Sequence, residues 1–233
     1  LFSLIYVMKN YTIFVLNISA ERWKKYENQG GYTRFAGVVG KDIDVNEHPQ
    51  FIHYWNKNEH SKKCVIACFQ GHMNIMKHIY ENKINNAIII EDDALIDFNR
   101  LEELDNITDF TYIGGRLQAT ILKNDKVFQK EYNKESILSG INKINTETYI
   151  ITGCHGMYIP DYKITKVIFN DIESRPRVRA IDVEMKRLQK TNPELIGQFI
   201  FPAISTLYLP DAEQGFTYFK GSSWKLQDDN KYY

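Results

Sequence analysis

Three consecutive carboxylates, Glu91, Asp92 and Asp93, follow directly on the apolar run AIII (87–90). Carboxylates gathered at one place repel one another unless a cation sits among them. Hard oxygen ligands of this kind suit magnesium or manganese, which bridge one or two carboxylates to substrate phosphates. On an extended chain alternate side chains share a side, so Glu91 and Asp93 are expected to face one way and Asp92 the other. The structural alternative is a solvated acidic turn that caps the next helix. The apolar run before the triplet has the pattern of a strand buried on both faces, which counts against it.

A second row of chemistry-bearing residues, His60, Cys64, Cys68 and His72, repeats every four residues. Each such step rises about 6 Å on a helix, which puts His60 and His72 about 18 Å apart. A tetrahedral zinc holds all its ligands within ~2.3 Å, so the four cannot share one ion and at most one neighbouring pair could serve. No structural zinc is expected. The cysteines read as buried members of a core face, and His72 could still point into the acidic cleft. Asp182 is a third candidate. It follows a loop carrying Arg175, Arg177 and Arg179 and opens a helical segment. It is either an acid favoured by the helix dipole or a general base kept ionised by the nearby arginines. Glu184 is the next candidate on the same segment. The phosphate-binding patterns GxGxxG and GxxxxGK[ST] are absent, as are HExxH and GxSxG. Any phosphate would then be held by metal and side chains.

The elements that must carry these residues read as α/β. Residues 11–17 form a first strand, and Ser19 caps a helix that stops at Gly30 and Gly31. Residues 33–39 form a second short strand. Residues 61–82 are the clearest helix, with Ser61 as cap and Val65, Cys68, Phe69, His72, Met73, Met76, Ile79 and Tyr80 on one face. Strands follow at 86–90 and 109–115, with a helical piece near 97–104 between them. Residues 121–146 read as a polar excursion, 146–159 as one or two strands, and 181–190 as a helix. Asp161 caps a helix running to about Asn170, and an aromatic tail from 198 wraps back. Alternating strands and helices imply a mostly parallel, Rossmann-like sheet flanked by helices. Ligands then gather at the carboxyl ends of its strands.

With 233 residues, the chain is long enough for one large domain. Twenty-nine basic residues balance 29 acidic ones, which argues against nucleic acid as partner. Three cysteines do not make a disulfide framework and fit a reducing compartment. No run reaches the ~20 apolar residues of a membrane span. Residues 1–7 read as an extension before Met8. Usage rich in Ile, Lys and Asn and poor in Arg fits an AT-rich bacterium or a large DNA virus. The expected location is the cytoplasm, or the host cytoplasm or virion if the source is viral.

The ordered segments resemble glycosyltransferase family 25, which includes bacterial lipooligosaccharide galactosyltransferases and collagen hydroxylysine galactosyltransferases. VLNISAERW is similar to the family's opening strand and turn, with Asn17 and Arg22 in the matching places. ACFQGHMNIMKHI places His72 on the family's histidine. AIIIEDDALI looks like its acidic motif, DFTYIGGRLQ its following strand, and RAIDVEM the segment that carries Asp182. The resemblance spans residues 11–216. Val39 stands where the family usually has Asp, Gly71 where it has Ser, and Met76 where it has Trp. Cys154 and His155 replace small apolar residues.

The resemblance implies a GT-A-type nucleotide-diphosphosugar transferase fold in a single domain over 8–233. Residues 11–115 would form the donor and metal half, and 116–233 the acceptor half. It implies a UDP-sugar donor, Mn2+ or Mg2+ on Glu91 and Asp93, donor contacts from Asn17, Arg22, His72 and Asp92, and Asp182 as catalytic base. The expected reaction inverts the anomeric carbon as a hexose, galactose or glucose, passes to a glycan or to hydroxylysine of a collagen-like acceptor. A non-catalytic carbohydrate- or nucleotide-binding homologue, or another metal-dependent nucleotide-using transferase, stays open as the alternative.

Overall fold

β-Branched and aromatic residues dominate Thr12–Asn17, and this segment forms β1, a buried strand of the main sheet. The computed structural model describes residues 10–54, 57–123, 126–131 and 137–207, with the side chains of 52–54, 119–131 and 207 left aside. The expected extension at 1–7 and the aromatic tail beyond 207 lie outside the described residues.

After β1 come α1 (Ala20–Glu27), β2 (Tyr32–Ala36), α2 (Glu59–Glu81), β3 (Ala87–Glu91) and β4 (Ala94–Ile96). Then follow β5 (Thr111–Tyr112), β6 (Arg116–Lys123), β7 (Lys126–Glu131), β8 (Gly140–Lys143), β9 (Tyr149–Thr152) and β10 (Met157–Ile159). The helices α3 (Tyr162–Glu173) and α4 (Ile181–Thr191) precede β11 (Gln198–Phe201) and β12 (Ser205–Leu207).

The main sheet has the order β2-β1-β3-β10-β5-β11-β8. β1 pairs in parallel with β2 and β3, and β5 with β11. β10 runs antiparallel to both β3 and β5, and β8 antiparallel to β11. Five strands therefore share one direction and two oppose it, so the sheet is mixed and mostly parallel. The middle strands are covered on both faces, as their unbroken apolar sequences require. Ile13, Val15, Ile88 and Ile90 pack to one side with Tyr26, Leu101 and Leu104. Phe14 and Ile89 pack to the other with Met76, Ile79, Ile168 and Leu188 from the helices. β6, β7 and β9 form a separate three-stranded antiparallel sheet, in which β7 and the end of β6 fall in the stretch 121–146 expected as a polar excursion and β9 in the strand expected within 146–159, and β4 pairs with β12.

Helix α2 differs from expectation at its start. Asn58 is its cap and accepts from the Ser61 amide at 2.7 Å, so Ser61 lies inside the first turn. Its 23 residues extend about 35 Å, whereas the five residues of β3 extend about 17 Å. The helix runs against the direction of β3, with His72 beside Glu91 at the strand's end. The turns before His72 must therefore project past the sheet. That overhang corrects the reading of the cysteines as core residues: Cys64 is half-buried and Cys68 exposed, and only Cys154 is buried. Gly71 sits where the helix crosses β1, and a Cβ there would stand 3.2 Å from a Leu16 methyl. Among the described residues no helix is long and apolar enough to cross a membrane.

Candidate active site

Strand β3 stops at Glu91, and Asp92 and Asp93 lie in the turn that leads to β4. The three carboxylates are sent to different partners. Asp92 is buried at 4% exposure and turns toward the end of β1. Its Oδ2 accepts from Asn17 Nδ2 at 2.9 Å and from the Ile18 amide at 3.1 Å. Its Oδ1 takes Arg22 Nη1 at 2.7 Å. Arg34 Nε donates to Asn17 Oδ1 at 2.9 Å, which extends the network to β2. Ser19 caps α1 by accepting from the Arg22 amide. Asn17, Arg22 and Asp92 thus come together as one network joining β1, α1 and the end of β3.

Glu91 turns toward α2, where its Oε1 meets Nε2 of the fully buried His72 at 2.9 Å. Burial alone would raise the Glu91 pKa, but this hydrogen bond and the nearby Arg22 hold it below the ordinary value. Asp93 Oδ1 has no such hydrogen bond among the described residues, and Arg22 and Lys25 offset its surroundings only in part. Burial, then the charges of Glu91 and Asp92, push its pKa up to about 6. Its Oδ1 is buried and meets no hydrogen-bond partner among the described residues. An unsatisfied, crowded carboxylate oxygen beside a second carboxylate is a place that fits a divalent cation.

Asp182 lies in the first turn of α4, two residues after the N-cap Ala180, which offers no side-chain cap. It is therefore not the cap of the helix. Burial raises its pKa, the amides at the start of α4 lower it, and the negative charge of Glu91 raises it further. The expectation that the arginine loop keeps Asp182 ionised is corrected. The loop and helix arginines serve Glu184 instead, which is 2% exposed. Glu184 accepts from the Arg179 amide and from Arg187 Nε, each at 3.0 Å, and pairs with Arg175 at 3.5 Å. Glu184 is a structural anchor, which retires it as an alternative base.

Two participants escaped the sequence reading. Arg116 opens β6 and interacts electrostatically with both Asp93 and Asp182, while burial lowers its pKa. The signal was present in Gly114-Gly115-Arg116, a glycine turn at the carboxyl end of a strand. His155 fixes that turn: its Nε2 accepts from the Gly115 amide at 2.8 Å. Gly115 has φ +127°, a conformation that favours glycine. Burial pushes the His155 pKa down to about 4, which keeps the ring neutral and able to accept.

Cys68 completes the rim. It is exposed, yet protein crowding and the charges of Glu91, Asp182 and Asp93 push its thiol pKa well up. Residues from α2, β3, the start of β6 and α4 therefore share one electrostatic neighbourhood at the carboxyl end of β3. Such a place can hold a cation against an anionic leaving group and present a carboxylate to an attacking hydroxyl.

No curated protein matches the chain. The family described as Glycosyltransferase family 25 (LPS biosynthesis protein) matches residues 8–153, from the sequence before β1 to just past β9. That span is more than half of the 233 residues and holds the acidic turn, His72 and the Asp92 network. On this match the chain belongs to glycosyltransferase family 25.

Proposed function

We propose that the chain is a metal-dependent, inverting hexosyltransferase of the GT-A type. It would move galactose or glucose from a UDP-sugar to a hydroxyl of a glycan or of hydroxylysine in a collagen-like protein. The observation that carries this reading is the end of β3 inside the family match, where the buried Asp93 Oδ1 has no hydrogen-bond partner among the described residues and Glu91 is held 2.9 Å from His72. Glu91 and Asp93 would hold Mn2+ or Mg2+. When bound, the cation neutralises charge that develops on the leaving diphosphate.

The remaining work falls to side chains. The Arg116 guanidinium supplies a fixed positive charge near the two carboxylates, where a diphosphate would sit. The Asp182 carboxylate takes the proton from the acceptor hydroxyl as its oxygen bonds to the anomeric carbon and the bond to the UDP oxygen breaks. A raised pKa makes Asp182 a stronger base near neutral pH, the direction general-base catalysis wants. The Asp92 network holds β1, α1 and β3 in register around the donor, with Asn17 and Arg22 as its edge. His72 orients Glu91.

The test is a panel of UDP-sugars assayed with manganese, with and without glycan and hydroxylysine acceptors. Metal-dependent release of UDP from one sugar supports the reading. Tight UDP binding with no turnover of any member would favour a non-catalytic binding homologue.

A further inference from the structure

The side of the cleft facing α2 carries donors unlike the carboxylate pair. Cys68, His72 and Glu91 each offer a ligand atom, and the three atoms all lie within 4.8 Å of one another. His72 Nε2 and Glu91 Oε1 are already 2.9 Å apart. Around a tetrahedral zinc, neighbouring sulfur, nitrogen and oxygen ligands stand roughly 3.3–3.6 Å from each other. The histidine and the glutamate need only part slightly and the thiol swing inward. Cys68 is free to make that swing because it lies on the overhanging part of α2.

We propose that Cys68, His72 and Glu91 form an exchangeable three-ligand site for a borderline divalent cation of the zinc class. The spacing of Cys68 and His72 is i, i+4 on one helix, the step by which helical zinc motifs place two ligands on one face. Glu91 comes from a different element, which gives three protein ligands and leaves a fourth position open to solvent. A thiolate among the donors selects zinc over magnesium or manganese. The surroundings point the same way: Asp93 Oδ1 is buried without a hydrogen-bond partner among the described residues. This is a different object from a four-ligand structural zinc, which the row His60, Cys64, Cys68 and His72 cannot make. It shares Glu91 with the proposed Mn2+ or Mg2+ pair but does not depend on the transfer reaction, since a protein that moves no sugar would bind the ion equally well.

Cobalt is the probe, because a thiolate bound to it gives a sulfur-to-metal charge-transfer band in the near ultraviolet. Metal-free full-length protein titrated with Co2+ should develop that band at one equivalent and lose it when one equivalent of Zn2+ is added. Cys68→Ser should abolish the band and weaken Zn2+ binding, measured by chelator competition, at least about 10-fold. Cys64→Ser should leave both unchanged. A second readout uses the unaltered protein: Zn2+ should slow alkylation of Cys68, followed by peptide mass spectrometry, more than that of Cys64. A band that persists in Cys68→Ser, or one that never forms in the wild type, overturns the site. So does Cys68 alkylation that ignores zinc.

Discussion

Arg22 Nη1 reaches Asp92 Oδ1 at 2.7 Å across the gap between α1 and the end of β3, and Asp92 is almost fully buried there. The middle acid of the triplet therefore works for the fold, while Asp93 is crowded by Glu91 and Asp92 and only partly offset by Arg22 and Lys25. Two changes of the same kind should act in opposite directions. Asp92→Asn leaves Arg22 and its neighbours without their counter-charge and should destabilise the metal-free protein by about 2–4 kcal/mol. Asp93→Asn removes a crowded charge and should stabilise it by about 1–2 kcal/mol at pH 7. Urea unfolding of the two variants beside the wild type measures both. Equal destabilisation would mean that the burial of Asp93 carries no repulsion.

Under the proposed function, UDP binding should depend on manganese or magnesium through Glu91 and Asp93. Titration calorimetry should show UDP bound with Mn2+ and weakly or not at all in chelator. Asp93→Asn should remove that difference while its circular dichroism stays native. UDP that binds equally well in chelator would sink the metal assignment.

Asp182 and Glu184 sit two residues apart on α4, yet opposite outcomes are expected. Asp182→Asn should lower transfer at least about 100-fold and leave UDP affinity within a few-fold. It should cost little stability. Glu184→Gln can still accept from the Arg179 amide but removes the charge that pairs with Arg175 and Arg187, and should cost about 3 kcal/mol of stability, with turnover per folded molecule retained. Near-normal turnover in Asp182→Asn would strip that residue of the base role.

His155 gives a pH signature. Its pKa falls from 6.5 to about 4 on folding, so the unfolded chain binds the proton more readily. Its stability contribution is complete above about pH 6.5 and is lost as the pH falls toward about 4, by up to about 3 kcal/mol. Asp93, raised from 3.8 to about 6, slopes the other way, with the folded state holding its proton more tightly. The comparison with His155→Gln isolates the histidine, because glutamine can still accept from Gly115 but does not titrate. The variant should lose less stability than the wild type between pH 6.5 and 4. Parallel curves would exclude a buried, neutral His155.

What could be read in advance was whatever local pattern decides. The four apolar residues before Glu91 announced a doubly covered strand, and the spacing of Phe69, Met73, Met76 and Ile79 announced α2. Strand direction was not legible, because Met157, Tyr158 and Ile159 look the same in a parallel or an antiparallel strand. Pairing with β3 and β5 decides it. The hairpin of β6 and β7 was missed because only β6 alternates, at Leu117, Ala119 and Ile121, while KVFQKE of β7 is polar without a period of two. Cys68 was misplaced because helical periodicity gives a face but not where the sheet beneath it ends. Within the site, residue types singled out Glu91, Asp93 and Asp182. Arg116 and His155 act through a turn, and that turn exists only once β10 lies beside β5. Gly71, which departs from the family's usual serine, fits the close crossing of α2 over Leu16, where a larger residue would press on β1.

The reversed strand β10 lies between β3 and β5 in the main sheet. Its pairing puts Met157 opposite Ile89, so the residues that precede it arrive where β3 leaves. The region matched by the family ends at 153, four residues before this strand. A fragment cut there would keep β3 and β5 but lose the strand that joins them, together with β11 and the helix that carries Asp182. The strand that stitches β3 to β5 is made after both, and β11, which joins β5 to β8, is made later still, so the sheet cannot close until the last third of the chain is present. Cooperative folding must wait for the last third of the chain, and no shorter piece should serve as a free-standing donor-binding unit.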